Sequence, residues 1–364
     1  MKKLIIIIFS FLLPIFCFAQ NINPTLQDTF QNIATLSEVT ETVPDIDFFG
    51  NDEPLKITLK YDITSFIKEK HKGEYLDAEL TVNYKDIPPV VKNIRLKARG
   101  NFRRGQCIFP PIYMNFKTDP IKNAELEDIR KIKIVTHCSH SKNSTSYLLK
   151  EYLAYKLYNS LSDISFRVRL LDITYIDTGK KQKNYREFGF IIEPIELVAK
   201  RNESVIIDPA FVRGNNIIEE SADVVALFEY MIGNTDWRFK TGHNMKYIKS
   251  LKEVTTKVTA VPYDFDFSGF VDAYYSFPQE WTSLKDVRSR EYLGYCRERN
   301  NDYLYAINLF LNKKEEIMGT IQMFEYLDDK EKKVLEKYID GFYTDLNRPE
   351  RFISQLKAQC RTDF

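Results

Sequence analysis

Lys257-Val-Thr-Ala-Val-Pro-Tyr-Asp-Phe-Asp-Phe-Ser-Gly269 is the stretch on which the reading of this chain turns. Residues 257–261 read as a short strand that Pro262 ends, and Asn244-Met-Lys-Tyr-Ile248 reads as its hairpin partner. Upstream, Gly233-Asn-Thr-Asp-Trp237 closes a helix that Ser221 can cap, with Val224, Val225, Leu227, Phe228, Met231 and Ile232 at helical spacing. A hairpin brings its two ends together, so Asp236, Asn244 and Asp264 are expected to converge. Asp266 faces the same side as Asp264 if the segment is extended. Hard oxygen ligands gathered this way suit Mg2+ or Mn2+ with substrate phosphates completing the shell.

Working outward, the two halves of the chain differ. From Leu55 to Phe116 apolar residues alternate (Ile57, Leu59 and Tyr61; Leu80 and Val82; Ile94, Leu96 and Ala98), broken by Pro88-Pro89, Gly100, Gly105 and Pro110-Pro111. Period-two alternation between such breaks predicts antiparallel strands and turns. A strand at 131–135, a helix at 145–161 carrying Leu149, Leu153 and Leu157, and strands at 167–176 and 188–192 follow. Beyond residue 300 helices are predicted at 303–311, 318–324, 331–342 and 350–360. The expected fold is therefore α+β and two-lobed: a sheet-rich N-lobe with one helix at 45–193, and a helical C-lobe with the acidic site at 194–364. A ligand would sit in the crevice between lobes.

The chain has 364 residues, enough apolar and aromatic content for a large core, and 52 Lys+Arg against 51 Asp+Glu. That balance lacks the basic excess that phosphate-backbone binding demands, so nucleic acid is not an expected partner. Lys2 and Lys3, the apolar run Leu4–Phe18 and Cys17-Phe-Ala19 predict a signal peptide over 1–19, cleaved before Gln20. No later apolar run is long enough to span a membrane, residues 20–44 read as a polar leader, and a secreted or periplasmic monomer is expected. Four cysteines survive cleavage, Cys107, Cys138, Cys296 and Cys360. An oxidising compartment permits two disulfides, with Cys107–Cys138 the preferred pair and buried free thiols the competing reading.

Arg95-Leu-Lys-Ala-Arg-Gly-Asn101, Lys150-Glu-Tyr-Leu-Ala-Tyr-Lys-Leu-Tyr158, Asn234-Thr-Asp-Trp237 with His243-Asn244, and Pro262-Tyr-Asp-Phe-Asp266 together resemble the spore-coat CotH kinase family, over roughly residues 55–290. The resemblance implies a secreted protein-kinase-like fold that uses ATP with Mg2+ or Mn2+. It implies Asp236 as the catalytic carboxylate, Asn244 as a metal ligand and Asp264 as the main metal ligand, with Asp266 replacing or assisting it. Lys133 is then the phosphate-binding lysine and Glu151 its ion-pair partner, with Lys117 and Lys131 as competitors. Arg99-Gly-Asn101, with Arg103 and Arg104, would supply phosphate contacts. The chain departs from ordinary protein kinases in having no Gly-rich phosphate loop and no His-Arg-Asp triplet.

Three functions fit these residues: an exported kinase acting on a protein or other envelope acceptor, a non-catalytic envelope binding protein, and a metal-dependent phosphohydrolase. Each residue also has an ordinary structural reading. Asp236 can cap a turn, Arg103 and Arg104 can be solvated loop charges, and Trp237, Phe265 and Phe267 read as core. His137 and His140, either side of Cys138, read as an ordinary polar loop.

Overall fold

Alternation alone does not say which strands pair, and here seven of them close on themselves. The computed structural model describes residues 48–85, 88–116, 126 and 129–362, all within one compact unit, Asp45–Phe364. The predicted signal peptide, the leader to residue 44 and Lys117 lie outside the described residues. Strands β1 (Leu55–Tyr61), β2 (Leu76–Asn83), β3 (Val90–Ala98), β4 (Ile112–Asn115), β5 (Lys131–Thr136), β6 (Val168–Asp177) and β7 (Tyr185–Ile192) form a closed barrel in the order β1-β2-β3-β4-β5-β7-β6. Neighbours are antiparallel except at the closure, where β1 runs parallel to β6 from Leu55↔Leu171 to Tyr61↔Asp177.

This closure overturns the two-lobed protein-kinase-like plan with an antiparallel-sheet N-lobe. The sheet is a mixed barrel, with no free edge among these strands. The physical reason lies in β5, β6 and β7, which are apolar on both faces. Ile132, Ile134, Leu171, Ile173, Tyr175 and Ile191 point into the barrel with Leu59, Leu80 and Leu96. Val135, Val168, Leu170, Phe190 and Ile192 point outward into a second, larger core. Gly189 on β7 sits where an added Cβ would lie 2.7 Å from Ile173 Cδ1 and 3.1 Å from the Val135 carbonyl, so only glycine lets the strands approach there.

Short helices α1 (Ile63–Glu69) and α2 (Phe102–Gln106) follow β1 and β3; the long α3 (Lys142–Asn159) follows β5 and covers the outer barrel wall. Ser141 caps α3 by accepting the Ser144 N–H at 3.2 Å, and the helix buries Leu148, Leu149, Tyr152, Leu153, Tyr155, Leu157 and Tyr158, more than one stripe. After α4 (Ile195–Arg201), β8 (Ser204–Ile207) pairs with β9 (Met245–Ser250), which pairs with β10 (Thr259–Pro262).

Between β8 and β9 runs α5 (Glu219–Ile232), whose cap is Ile218 and not Ser221. The Ile218 N–H donates to the Val258 carbonyl at 2.9 Å, which pins the helix start one turn earlier than the hydroxyl signal suggested. Four helices complete the chain, α6 (Leu304–Asn312), α7 (Lys314–Gln322), α8 (Asp329–Leu346) and α9 (Pro349–Gln359). Disulfides join Cys107 to Cys138 and Cys296 to Cys360. Among the described residues no helix is long and apolar enough to cross a membrane.

Candidate functional site

Backbone geometry sets the site. Gly233 ends α5 in the left-handed conformation, φ +66°, where a Cβ would collide with the Tyr338 hydroxyl at 2.1 Å. The loop that follows is tied down by its own side chains. Asn234 Nδ2 donates to buried Glu229 at 2.9 Å, Asn234 Oδ1 accepts the Asp236 N–H at 3.0 Å, and Trp237 Nε1 donates to the Asn234 carbonyl at 3.2 Å. Pro262 pairs with Met245 at the hairpin end, and the Tyr263 N–H donates to the Asn244 carbonyl at 3.1 Å. Gly269 and Phe270 then donate to the carbonyls of Gly233 and Ile232 at 3.1 and 2.9 Å. The segment bearing Asp264 and Asp266 is thus laid against the loop bearing Asp236.

Asp264 itself has φ +70°, a left-handed conformation that an L side chain adopts at a cost. Its N–H donates to the Tyr155 hydroxyl at 2.9 Å. Tyr155 stands one helical turn after Glu151 on α3, so both side chains reach the same segment. One ligand oxygen from each of Glu151, Asp264 and Asp266 lies within 4.8 Å of the others.

Buried Arg103 lies between two of these acids. Its Nη1 is 3.0 Å from Glu151 and 3.8 Å from Asp266, and its Nη2 donates to the Thr136 carbonyl at 3.1 Å. Tyr275 donates its hydroxyl to Asp266 at 3.0 Å. Burial drives the Glu151 and Asp266 carboxyls above their ordinary range, and Asp264 beside them adds to the rise, while Arg103 opposes it. One guanidinium therefore faces three carboxyl groups, and Glu151 Oε1 is buried without a hydrogen-bond partner. Such a donor set fits a hard cation.

Asp236, partly buried, is close enough to this cluster for its charge to reach Asp266. His243 Nε2 is 2.8 Å from its Oδ1, and Asn244 Nδ2 donates to its Oδ2 at 3.1 Å and to its carbonyl at 2.6 Å. The hydrogen bond to Asp236 raises the His243 pKa, with burial opposing. The charge of Asp236 reaches Asp266, and that of Asp264 reaches His243. Asn244 has committed its amide NH2 to Asp236, leaving the carbonyl oxygen as the end able to ligate a cation.

Lys133 on β5 does not pair with Glu151; the structure gives that carboxylate to Arg103, which the sequence reading had placed in a loop. Among the described residues Lys133 has no ion pair, and its Nζ lies over the Tyr263 ring at 5.3 Å. Burial pushes its pKa down to about 8, with repulsion from Arg99 and Lys246 adding and Asp264 and Glu196 opposing. Lys246 covers the same ring at 5.8 Å, and Arg99 Nε is buried without a partner. Lys131 lies over Tyr113 instead, at 4.6 Å. Two cations thus cover Tyr263 next to the acidic cluster, and Arg99, over Tyr113 at 5.9 Å, is close enough for its charge to reach Lys133.

Tyr155 and Tyr275 are the members that sequence reading missed, and Arg103, expected to contact phosphate, instead faces Glu151 and Asp266. The available signal was Phe102, which packs edge-on against Phe267 and Phe277 and carries Arg103 inward on α2. A cavity of about 540 Å3 lined by Tyr152, Lys156, Thr320 and Phe324 lies between α3 and α7 and holds none of the candidate residues.

No known family model matches the chain, and no curated protein matches it significantly. Solved structures do resemble it, among them that of a proinflammatory kinase from Helicobacter pylori, CtkA. That match is 12% identical, covers 71% of this chain and 95% of the other, and has a TM-score of 0.40. A likeness so slight carries no argument about what this chain does.

Proposed function

We propose that the protein is an exported phosphotransferase that moves the terminal phosphoryl group of ATP, with Mg2+ or Mn2+, to a hydroxyl of a protein or other envelope acceptor. One observation carries the reading: a three-carboxylate cluster, with Glu151 and Asp266 buried and Asp264 partly so, holds a single guanidinium and abuts a cationic group made of Lys133, Lys246 and Arg99. A magnesium–triphosphate complex carries both charges that this surface complements. Export is supported by the apolar N-terminal run and by two disulfides.

Asp264 and Asp266, with Glu151 behind them, would hold the cation, which supplies charge neutralisation on the β- and γ-phosphates. Lys133 and Arg99 bind the phosphate oxygens. A phosphate next to Lys133 offsets the burial, and the lesser repulsion from Arg99 and Lys246, that depress its pKa, so nucleotide and proton bind together. Asp236 orients the acceptor hydroxyl and takes its proton, while His243 and Asn244 hold the carboxylate in one rotamer. Positioning and charge neutralisation are most of what phosphoryl transfer asks of a protein.

Thermal unfolding with Mn2+ and ATP tests this on wild type, Asp264→Ala and Asp236→Ala. At ligand about 100-fold above Kd, wild type gains about 2.7 kcal/mol. Asp264→Ala gains nothing, and Asp236→Ala is stabilised by nucleotide yet labels no acceptor. No gain in wild type would leave a non-catalytic binding protein, and ADP release without an acceptor would mark a phosphohydrolase.

A further inference from the structure

Several of the buried polar atoms that the acidic site leaves unexplained gather near the start of α3, where β5 hands over to the helix. His137 is fully buried, and neither of its ring nitrogens has a hydrogen-bond partner. The hydroxyls of Tyr175 and Tyr185 are also buried without partners. These groups share one aromatic cage. His137 stacks on Phe109 at 4.7 Å, His140 meets Tyr185 edge-on at 4.5 Å, and Tyr175 stacks on Tyr185 at 4.8 Å. Buried donors and acceptors are almost always satisfied in folded proteins, so several together in one place ask for a missing partner.

Glu187 on β7 completes the group. Its Oε1 is 3.3 Å from His140 Nδ1, and its Oε2 accepts the Thr145 hydroxyl of α3 at 3.2 Å. One ligand atom each from His137, His140 and Glu187 lies within 4.8 Å of the others. Two imidazoles and a carboxylate, with the carboxylate oriented by a hydroxyl behind it, form a donor set suited to a borderline metal and differ in kind from the all-oxygen cluster around Asp264. His137 is fixed in the protein, whereas the His140 side chain is half-exposed, giving an ion both a rigid anchor and a way in.

The geometry points to a second metal site, a zinc-class divalent ion bound by His137, His140 and Glu187, with a fourth position open toward solvent or the Tyr185 hydroxyl. Such an ion clamps the β5–α3 connection onto β7, next to the Cys107–Cys138 disulfide. The four cysteines of the described chain are all in disulfides, so thiolates do not compete for the metal.

Titration of the full mature chain with Co2+ and with Zn2+ tests the site independently of any nucleotide. Wild type is expected to take up one Co2+ with the visible ligand-field absorption of a nitrogen-ligated, low-coordinate ion, displaced by Zn2+. His140→Ala removes the half-exposed ligand, together with its ring contact to Tyr185, and should weaken Zn2+ by about 100-fold or more, since even outer-shell partners are worth about 10–100-fold. Glu187→Gln, isosteric, should lose the band as well and carries the test should His140→Ala lose its fold. Asp264→Ala, which on the proposed function should abolish Mn2+ binding at the acidic cluster, should leave the cobalt band intact, so the two sites fail separately. No band in wild type, or a band that persists in both His140→Ala and Glu187→Gln, overturns the assignment.

Discussion

Replacing Arg103 by Met removes the guanidinium that lies 3.0 Å from Glu151 and 3.8 Å from Asp266, and the donor to the Thr136 carbonyl at 3.1 Å. Met keeps most of the apolar stem, so the change is mainly one of charge. All three side chains are buried, and removing one partner of a buried pair costs about 3–5 kcal/mol because the other charge is left uncompensated. At roughly 2 °C per kcal/mol for a chain of this size, Tm should fall by about 6–10 °C at pH 8.

The pH dependence of that loss has a definite sign. Burial already holds both carboxyls above their ordinary range against the pull of Arg103, so without it they rise further. Acids raised in the folded state bind more protons folded than unfolded, so stability is fullest below the unfolded carboxylate range and falls as pH climbs through the folded pKa. The loss should shrink to about 1–2 kcal/mol near pH 5, where both carboxyls are neutral and the unpaired Thr136 carbonyl dominates. Urea unfolding of the disulfide-intact protein at the two pH values measures both. A loss under about 1 kcal/mol at pH 8, or one equal at both, would refute the reasoning.

Lys133→Met should stabilise the protein by about 1–3 kcal/mol at pH 7, since a lysine depressed to about 8 is strained while charged, yet abolish nucleotide binding. The wild-type gain in stability as pH rises from about 8 toward the ordinary lysine range should be absent from this variant, as urea titrations against pH would show. Asp264→Gly should be about 1 kcal/mol more stable than Asp264→Ala, because glycine accepts φ +70° freely; equal melting curves would dismiss backbone strain there. Opening Cys296–Cys360, which closes a separation of 64 residues, should cost about 4 kcal/mol in urea. Opening Cys107–Cys138, with a separation of 31, should cost slightly less.

Much of the local structure was legible. Alternation marked β1 to β4, short strands were read close to β5, β6 and β7, and Gly233 marked the end of α5 because its left-handed φ of +66° suits glycine. Pairing direction was not legible. A strand apolar on both faces, such as β6 with Leu170 outward and Leu171 inward, reads the same in an open sheet and in a barrel, and only the parallel match of β1 with β6 tells them apart.

At the site, the meeting of Asn244 with Tyr263 followed from hairpin connectivity, a local property. The partner of Glu151 did not, because 48 residues separate it from Arg103 and a charged residue in a polar stretch gives no sign of burial. His137 escaped for the same reason: its loop is polar by composition, and only the packing of Phe109, Tyr175 and Tyr185 shows it enclosed.

Anomalous diffraction from crystals grown with Mn2+ and a non-hydrolysable ATP analogue tests the central claim most directly. The expected map has a manganese peak about 2.1 Å from carboxylate oxygens of Asp264 and Asp266. It should also show the γ-phosphate between that peak and Lys133, with Asp236 facing the phosphorus from the acceptor side. Nucleotide bound elsewhere, or manganese absent from these carboxylates while nucleotide is present, would contradict it.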